Sequence, residues 1–212
     1  MITKYFAPED VPFNFECAYR FLKIRRSSDK FATMHKLLAD LYKEHRGVFE
    51  PRYRYDICKV ASGQSGTFST LLESGASFSG RGIHKLLLHA RYAAVFLITV
   101  GEKIDDVVAE LSQKDFTEAF FLDGIASTMT DGMQQLLESE LKTAAATLNC
   151  TLGARFAPGY AHWDLQEQAK LFRLLKAEEI GMQLSETYFM LPQKSISGVY
   201  GLRPTPEMKN AK

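Results

Sequence analysis

The stretch from Tyr92 to Val100, YAAVFLITV, is almost wholly apolar and stops at Gly101. A strand with one face in water alternates polar and apolar side chains; this one does not, so it reads as a strand buried on both faces. It is much too short to span a bilayer.

Helical stripes surround that strand. Asp29 to Arg46 carries Phe31, Met34, Leu37, Leu38, Leu41 and Tyr42 at helical spacing, and Gly47 stops it. A short helix, CAYRFLKIRR, precedes it. GRGIHKLLLHA turns Ile83, Leu86, Leu87 and Ala90 inward, and Ile104, Val107, Val108 and Leu111 mark the next helix. A longer one follows, from about Phe116 to Leu148, and Gln166 to Lys176 is helical again. RYRYDICKV is rich in β-formers and pairs on paper with GTFST as a hairpin around SGQSG; LSETYFML and ISGVYGL read as two strands around the turn PQKS. Ala154 to His162 reads as a Pro/Gly loop. Helices interleave with few strands, one pair of them antiparallel, which favours an α+β domain over a doubly wound sheet.

A chain of 212 residues with 46% hydrophobic and 24% charged residues buries a sizeable core without staples. Its net charge of +1 lacks the basic field that general nucleic-acid or acidic-membrane binding requires. Cys17, Cys58 and Cys150 are far apart and form no CxxC spacing, so they read as free thiols in a reducing compartment. MITKYFAPEDVPF has no signal-peptide layout, and the cytoplasm is the expected location.

Most catalytic patterns are missing. Gly80-Arg81-Gly82 suggests a nucleotide loop, but Lys85 stands where the third glycine belongs, and the order of elements is wrong for that fingerprint. The five histidines are scattered, with no HExxH and no GxSxG nearby. The informative stretch is Arg155-Phe156-Ala157-Pro158-Gly159-Tyr160. As a connector, Pro158 fixes φ, Gly159 permits positive φ and Tyr160 anchors the loop in the core. As a ligand loop, Arg155 clamps a carboxylate, Gly159 lets a ligand approach the backbone and Tyr160 stacks on a purine or faces a cation. S-adenosylmethionine carries a carboxylate, an adenine and a sulfonium.

R-x-x-x-G-Y resembles the S-adenosylmethionine-binding signature of the activation domain of cobalamin-dependent methionine synthase. AVFLITVG resembles that family's strand ending in a Thr-x-Gly turn, and AFFLDGIAS the start of its long helix. LFRLLKAEEIGMQLSETYFMLPQKSISGVYG is similar to its run of Leu-Leu, Ile-Gly, Leu-Thr-Glu-Ser, Met-x-Pro and Ser-Val-Ser-Gly. The likeness covers roughly Ser79 to Gly201 in the same order.

The resemblance implies a twisted, largely antiparallel sheet flanked by helices. Residues 79–203 would form the activation-domain-like core, residues 1–78 a helical and β-rich segment packing on it, and 204–212 a disordered tail. It also implies a free-standing accessory protein, at most one component of a methyltransferase reactivation system. This protein would bind S-adenosylmethionine through Arg155, Ala157, Gly159 and Tyr160, and present its methyl for reductive reactivation of a corrinoid methyltransferase, in the first place methionine synthase. The cobalamin would be carried by that partner or another corrinoid protein, the electron would come from a flavodoxin or ferredoxin-type donor, and the chain would need no catalytic residue or metal of its own. Nucleic acid and membrane are not expected partners.

Three departures stand against the family pattern. Ser127 replaces a glutamate ligand four residues after the aspartate that matches Asp123. Ala161-His162-Trp163-Asp164 replaces a Pro-Ala-Cys-Pro-like stretch. RPTPEMKNAK replaces a Tyr-rich continuation. The missing glutamate and Tyr-rich continuation favour an alternative, a corrinoid-protein docking module that has lost the ligand. An independent methyltransferase is disfavoured by the absence of a general base near the motif.

Overall fold

The computed structural model describes residues 1–61 and 69–205. Tyr92–Thr99 is the middle strand of a five-stranded sheet and is fully paired on both edges. In chain order the strands of this sheet are β1 (Ile2–Tyr5) and β2 (Arg52–Lys59), with two short strands, β3 (Ser69–Leu71) and β4 (Ser77–Ser79), paired apart from it. Then come β5 (Tyr92–Thr99) and β6 (Cys150–Phe156). A small separate hairpin, β7 (Gln183–Leu184) and β8 (Met190–Leu191), precedes β9 (Ser195–Pro204). The sheet order is β1-β2-β5-β9-β6, antiparallel throughout.

The apolar run is explained by cover on both faces. Ala94, Phe96 and Ile98 face one core, which they share with Leu122, Ile125, Met129, Met133, Leu137 and Leu141 of a long helix. Ala93, Val95 and Leu97 face the other, with Ile83, Leu87, Trp163, Leu171 and Leu175. The helices are α1 (Phe15–Phe21), α2 (Phe31–His45), α3 (Arg81–Leu87), α4 (Lys103–Ser112), α5 (Phe116–Thr147) and α6 (Gln168–Leu175). α5 starts at Asp115, whose carboxylate accepts from the amides of Thr117 and Glu118 at 2.8 and 3.1 Å. At about 1.5 Å per residue it runs the full width of the sheet. No helix among the described residues is long and apolar enough to cross a membrane. All three cysteines are free and buried.

The α+β, largely antiparallel architecture expected above is what the chain forms, but the strand pairing differs in three places. RYRYDICK does not build a hairpin with the following β-formers. β2 lies between β1 and β5; among the described residues the two segments are joined by an isolated bridge, Val60 to Leu72, by a bond from the Glu73 amide to the Lys59 carbonyl at 3.0 Å, and by the Lys59–Glu73 ion pair at 2.9 Å. The expected turn SGQSG, with the start of GTFST, lies outside the described residues. β2 alternates in the structure: Tyr53 and Tyr55 enter the α5 core, while Arg52 and Arg54 occupy the other face. There Arg54 pairs with Glu179 at 2.6 Å, and Arg52 donates to the Ile180 carbonyl at 2.7 Å. The C-terminal strands do not pair with each other either. β8 pairs with β7, and β9 inserts between β5 and β6, because the sheet offers it two long edges and the local hairpin only a short one. Finally, Arg155 and Phe156 are not loop residues: they end β6, past a register shift between Leu152 and Arg155. The tail lies outside the described residues from 206 onward.

One carboxylate fastens β1 and β2 to α5. Glu140 accepts from Lys4 Nζ at 2.6 Å, from Tyr55 Oη at 2.7 Å and from Tyr53 Oη. Burial raises the Glu140 pKa, and the bonds from Lys4 and the two tyrosines outweigh it, leaving the carboxyl below its ordinary value. Burial first, and the neighbouring carboxylate second, push both tyrosines up. A carboxyl with a depressed folded pKa stabilises the fold above its unfolded pKa of about 4.3 and loses that contribution as pH falls through the folded value. Glu140→Gln is therefore expected to cost about 1.5–3 kcal/mol at neutral pH in denaturant melts. The deficit should shrink towards about pH 3. A deficit of equal size at both pH values would show that the charge plays no part.

Candidate functional site

Arg155 and Phe156 are successive residues at the end of β6, and successive strand side chains point to opposite faces. Arg155 lines one cavity and Phe156 a second. The chain then turns through residues 157–163. Gly159 has φ +88°, and its amide donates to the Trp163 carbonyl at 2.8 Å; the Trp163 amide returns a bond to the Tyr160 carbonyl at 2.9 Å. Trp163 is the anchor of the loop, at 1% exposure, with its ring stacked on Phe156 at 5.6 Å. Tyr160, expected to plug the core in the connector reading, is instead 70% exposed, because Trp163 offers more apolar area to the α3 and α6 side of the sheet.

The first cavity measures about 350 Å³, within the range of small-molecule sites. Arg155, Ala157 and Tyr160 all line it; Gly159 shapes the turn between them. Asp131 of α5 lines it too, with Ser195 and Ser197 of β9. Tyr188 and Phe189 close one end. Gln168, 3% exposed, fixes that end: its amide donates to the Tyr188 carbonyl at 2.8 Å, and its carbonyl accepts from Ser197 Oγ at 2.8 Å.

Asp131 is the residue that motif reading missed. It follows Asp123 and Ser127 at four-residue intervals, so the three lie along one stripe of α5. That spacing was the available signal. Burial raises the Asp131 pKa; Arg155 and Arg20 pull it back without restoring its ordinary value. No ion pair joins Asp131 to either arginine among the described residues. Arg155 instead donates to Gln134 Oε1 at 2.6 Å, and Arg20 to Cys17 Sγ at 3.0 Å.

Asp123 and Ser127 lie outside the cavity lining. Lys194 pairs with Asp123 at 2.7 Å and donates to Ser127 Oγ at 3.2 Å, closing that part of the stripe on itself. His162 lines the second cavity, on the far side of the loop. Among the described residues no group of three or more His, Cys, Asp or Glu side chains is placed to hold a metal ion.

The sequence model of the family described as vitamin B12 dependent methionine synthase, activation domain, matches residues 85–208. The crystal structure of the MetH reactivation domain bound to AdoHcy has the same fold. It aligns with a TM-score of 0.76 and 15% identity over 100% of this chain and 79% of that one.

The geometry at Gly159 separates two effects of a side chain. An added Cβ would meet only Leu165 Cδ1, at 3.4 Å, an ordinary contact, whereas φ +88° is strained for any L-residue. Gly159→Ala is expected to lower the stability of the ligand-free chain by about 1–2 kcal/mol, read from the denaturation midpoint. An unchanged midpoint would show that the loop relaxes and that the turn is not fixed by its backbone.

Proposed function

The chain belongs to the vitamin B12 dependent methionine synthase activation domain family, and on that premise we propose that it binds S-adenosylmethionine and presents the sulfonium methyl to a corrinoid held by another protein. The observation that carries this reading is one cavity lined by opposite charges that do not pair with each other, Arg155 and Asp131. An α-amino acid brings a carboxylate and an ammonium, the complement of that arrangement. Tyr160 offers an exposed ring for the adenine at the rim, and Phe189, 67% exposed, flanks the same opening. AdoHcy, bound in the neighbouring fold, shares the amino-acid and adenosine groups of S-adenosylmethionine.

The ligand supplies the electrophilic methyl, and a reduced corrinoid supplies the nucleophile. The residues of this chain hold and orient the ligand at an open mouth and need move no proton. The partner in this reading is methionine synthase or another corrinoid protein. A flavodoxin or ferredoxin-type protein supplies the electron, and the setting is the cytoplasm. A second reading, docking without the ligand, is favoured by the Lys194 contacts that occupy Asp123 and Ser127.

Calorimetry with S-adenosylmethionine separates the two. Arg155→Ala is expected to weaken binding by about 2–4 kcal/mol, with little change in the melting temperature of the ligand-free chain, since Arg155 is exposed. Asp131→Asn is expected to weaken binding by about 1–3 kcal/mol. Its effect on stability has the opposite sign: a carboxyl whose pKa is raised by burial destabilises the fold when ionised, so at neutral pH the amide should melt at the same temperature or higher. Unchanged affinity in both variants removes the zwitterion clamp; a wild-type chain that binds no ligand leaves the docking reading.

Methyl transfer is expected only when this chain, a corrinoid protein and a low-potential reductant are combined. The measurement is the visible spectrum of the methylated corrinoid, with each component omitted in turn. Steady methyl transfer by this chain alone to a small acceptor would make it an independent methyltransferase.

A further inference from the structure

We infer that the cavity between α3, the 157–163 loop and the end of β9 is a second ligand site, for an amphipathic anion: a flat apolar body carrying a phosphate or a group of like charge. This cavity measures about 430 Å³ and lies on the opposite side of β6 from Arg155. It does not depend on S-adenosylmethionine binding.

Its floor is apolar and fixed. One face of the Phe156 ring stacks on buried Trp163, nearly parallel at 7°. The edge of that ring rests against Gly82 so closely that a Cβ there would lie 2.4 Å from Phe156 Cζ and 2.3 Å from the Ala161 carbonyl. Glycine at position 82 is what lets α3 approach, and it leaves the rest of the ring, with half-buried Leu86, open to the cavity.

The rim is cationic. Arg81, Lys85 and Arg203 line it with His162, and among the described residues no carboxylate does. Composition does not explain this, because Lys and Arg number 26 against 25 Asp and Glu. Arg81 and Lys85 stand four residues apart on α3, where like charges repel. Lys85 and Arg203 make no ion pair among the described residues. The wall is also strained: Ala161 and His162 are consecutive non-glycine residues with φ of 40° and 63°. Repulsion and strain gathered at one concavity are features that a ligand clamp carries.

A simple anion would leave the Phe156 and Leu86 floor unused, and a neutral aromatic would leave Lys85 and Arg203 uncompensated; a molecule with both features uses both. The volume fits a small ligand.

The test uses the intact chain and 1-naphthyl phosphate, with 1-naphthol and inorganic phosphate as its two halves, followed by naphthyl fluorescence and by competition. Saturable binding of 1-naphthyl phosphate is expected with a Kd below about 2 mM. Each half alone should bind at least about tenfold more weakly. Lys85→Gln combined with Arg203→Gln, both exposed and outside the core, should weaken 1-naphthyl phosphate at least about tenfold while the melting temperature holds. Four results would overturn the proposal: no saturable binding below that concentration, equal binding of 1-naphthol, equal binding of inorganic phosphate, or an affinity that the double substitution leaves unchanged.

Discussion

The burial of β5 on both faces is the constraint on which the rest of this structure depends. Its backbone groups can be satisfied only by neighbours on each edge, and β2 and β9 provide them in continuous antiparallel register. Its side chains can be buried only if each face is covered. α5, with α1 and α2, covers one, and α3, α6 and Trp163 cover the other. Every candidate site sits where that cover ends, along the β9 and β6 side of the sheet.

β6 is the edge strand there, and its last two residues divide the chemistry. Arg155 goes to the α5 side and lines a cavity with Asp131; Phe156 goes to the α3 side and stacks on Trp163. A one-residue slip of β6 would exchange the two, sending a guanidinium under an aromatic and an aromatic into a polar cavity. The register shift before Arg155 sets that assignment, and the 157–163 loop, closed on itself by the Gly159 and Trp163 bonds, makes a common wall for both cavities.

The polar groups fall into two kinds. Glu140 takes three donors, and its pKa drops; it clamps strands to a helix. Asp131 is partly buried, and its pKa rises; it has cations nearby but, among the described residues, no ion pair. The first arrangement stabilises a fold. The second costs stability and is the arrangement expected of a group that awaits a ligand.

The sequence by itself determined the class of fold and most of the helices. YAAVFLITV required a covered strand, the stripes of α2, α3 and α4 announced themselves by period, and the motif around Arg155 to Tyr160 marked the loop that lines a cavity. These are local signals, carried by side chains a few positions apart. Tertiary structure alone decided strand order and which residues meet. β1 and β6 are short or edge strands with exposed positions and weak patterns, and β9 pairs with β5 and β6, both distant from it in sequence. Asp131 in the first cavity, Lys194 over Ser127, and Arg203 beside Arg81 and Lys85 are all juxtapositions of residues far apart in sequence. Periodicity reports which face of an element is apolar; it does not report which other element covers that face, because burial energy depends on area removed from water and not on sequence distance.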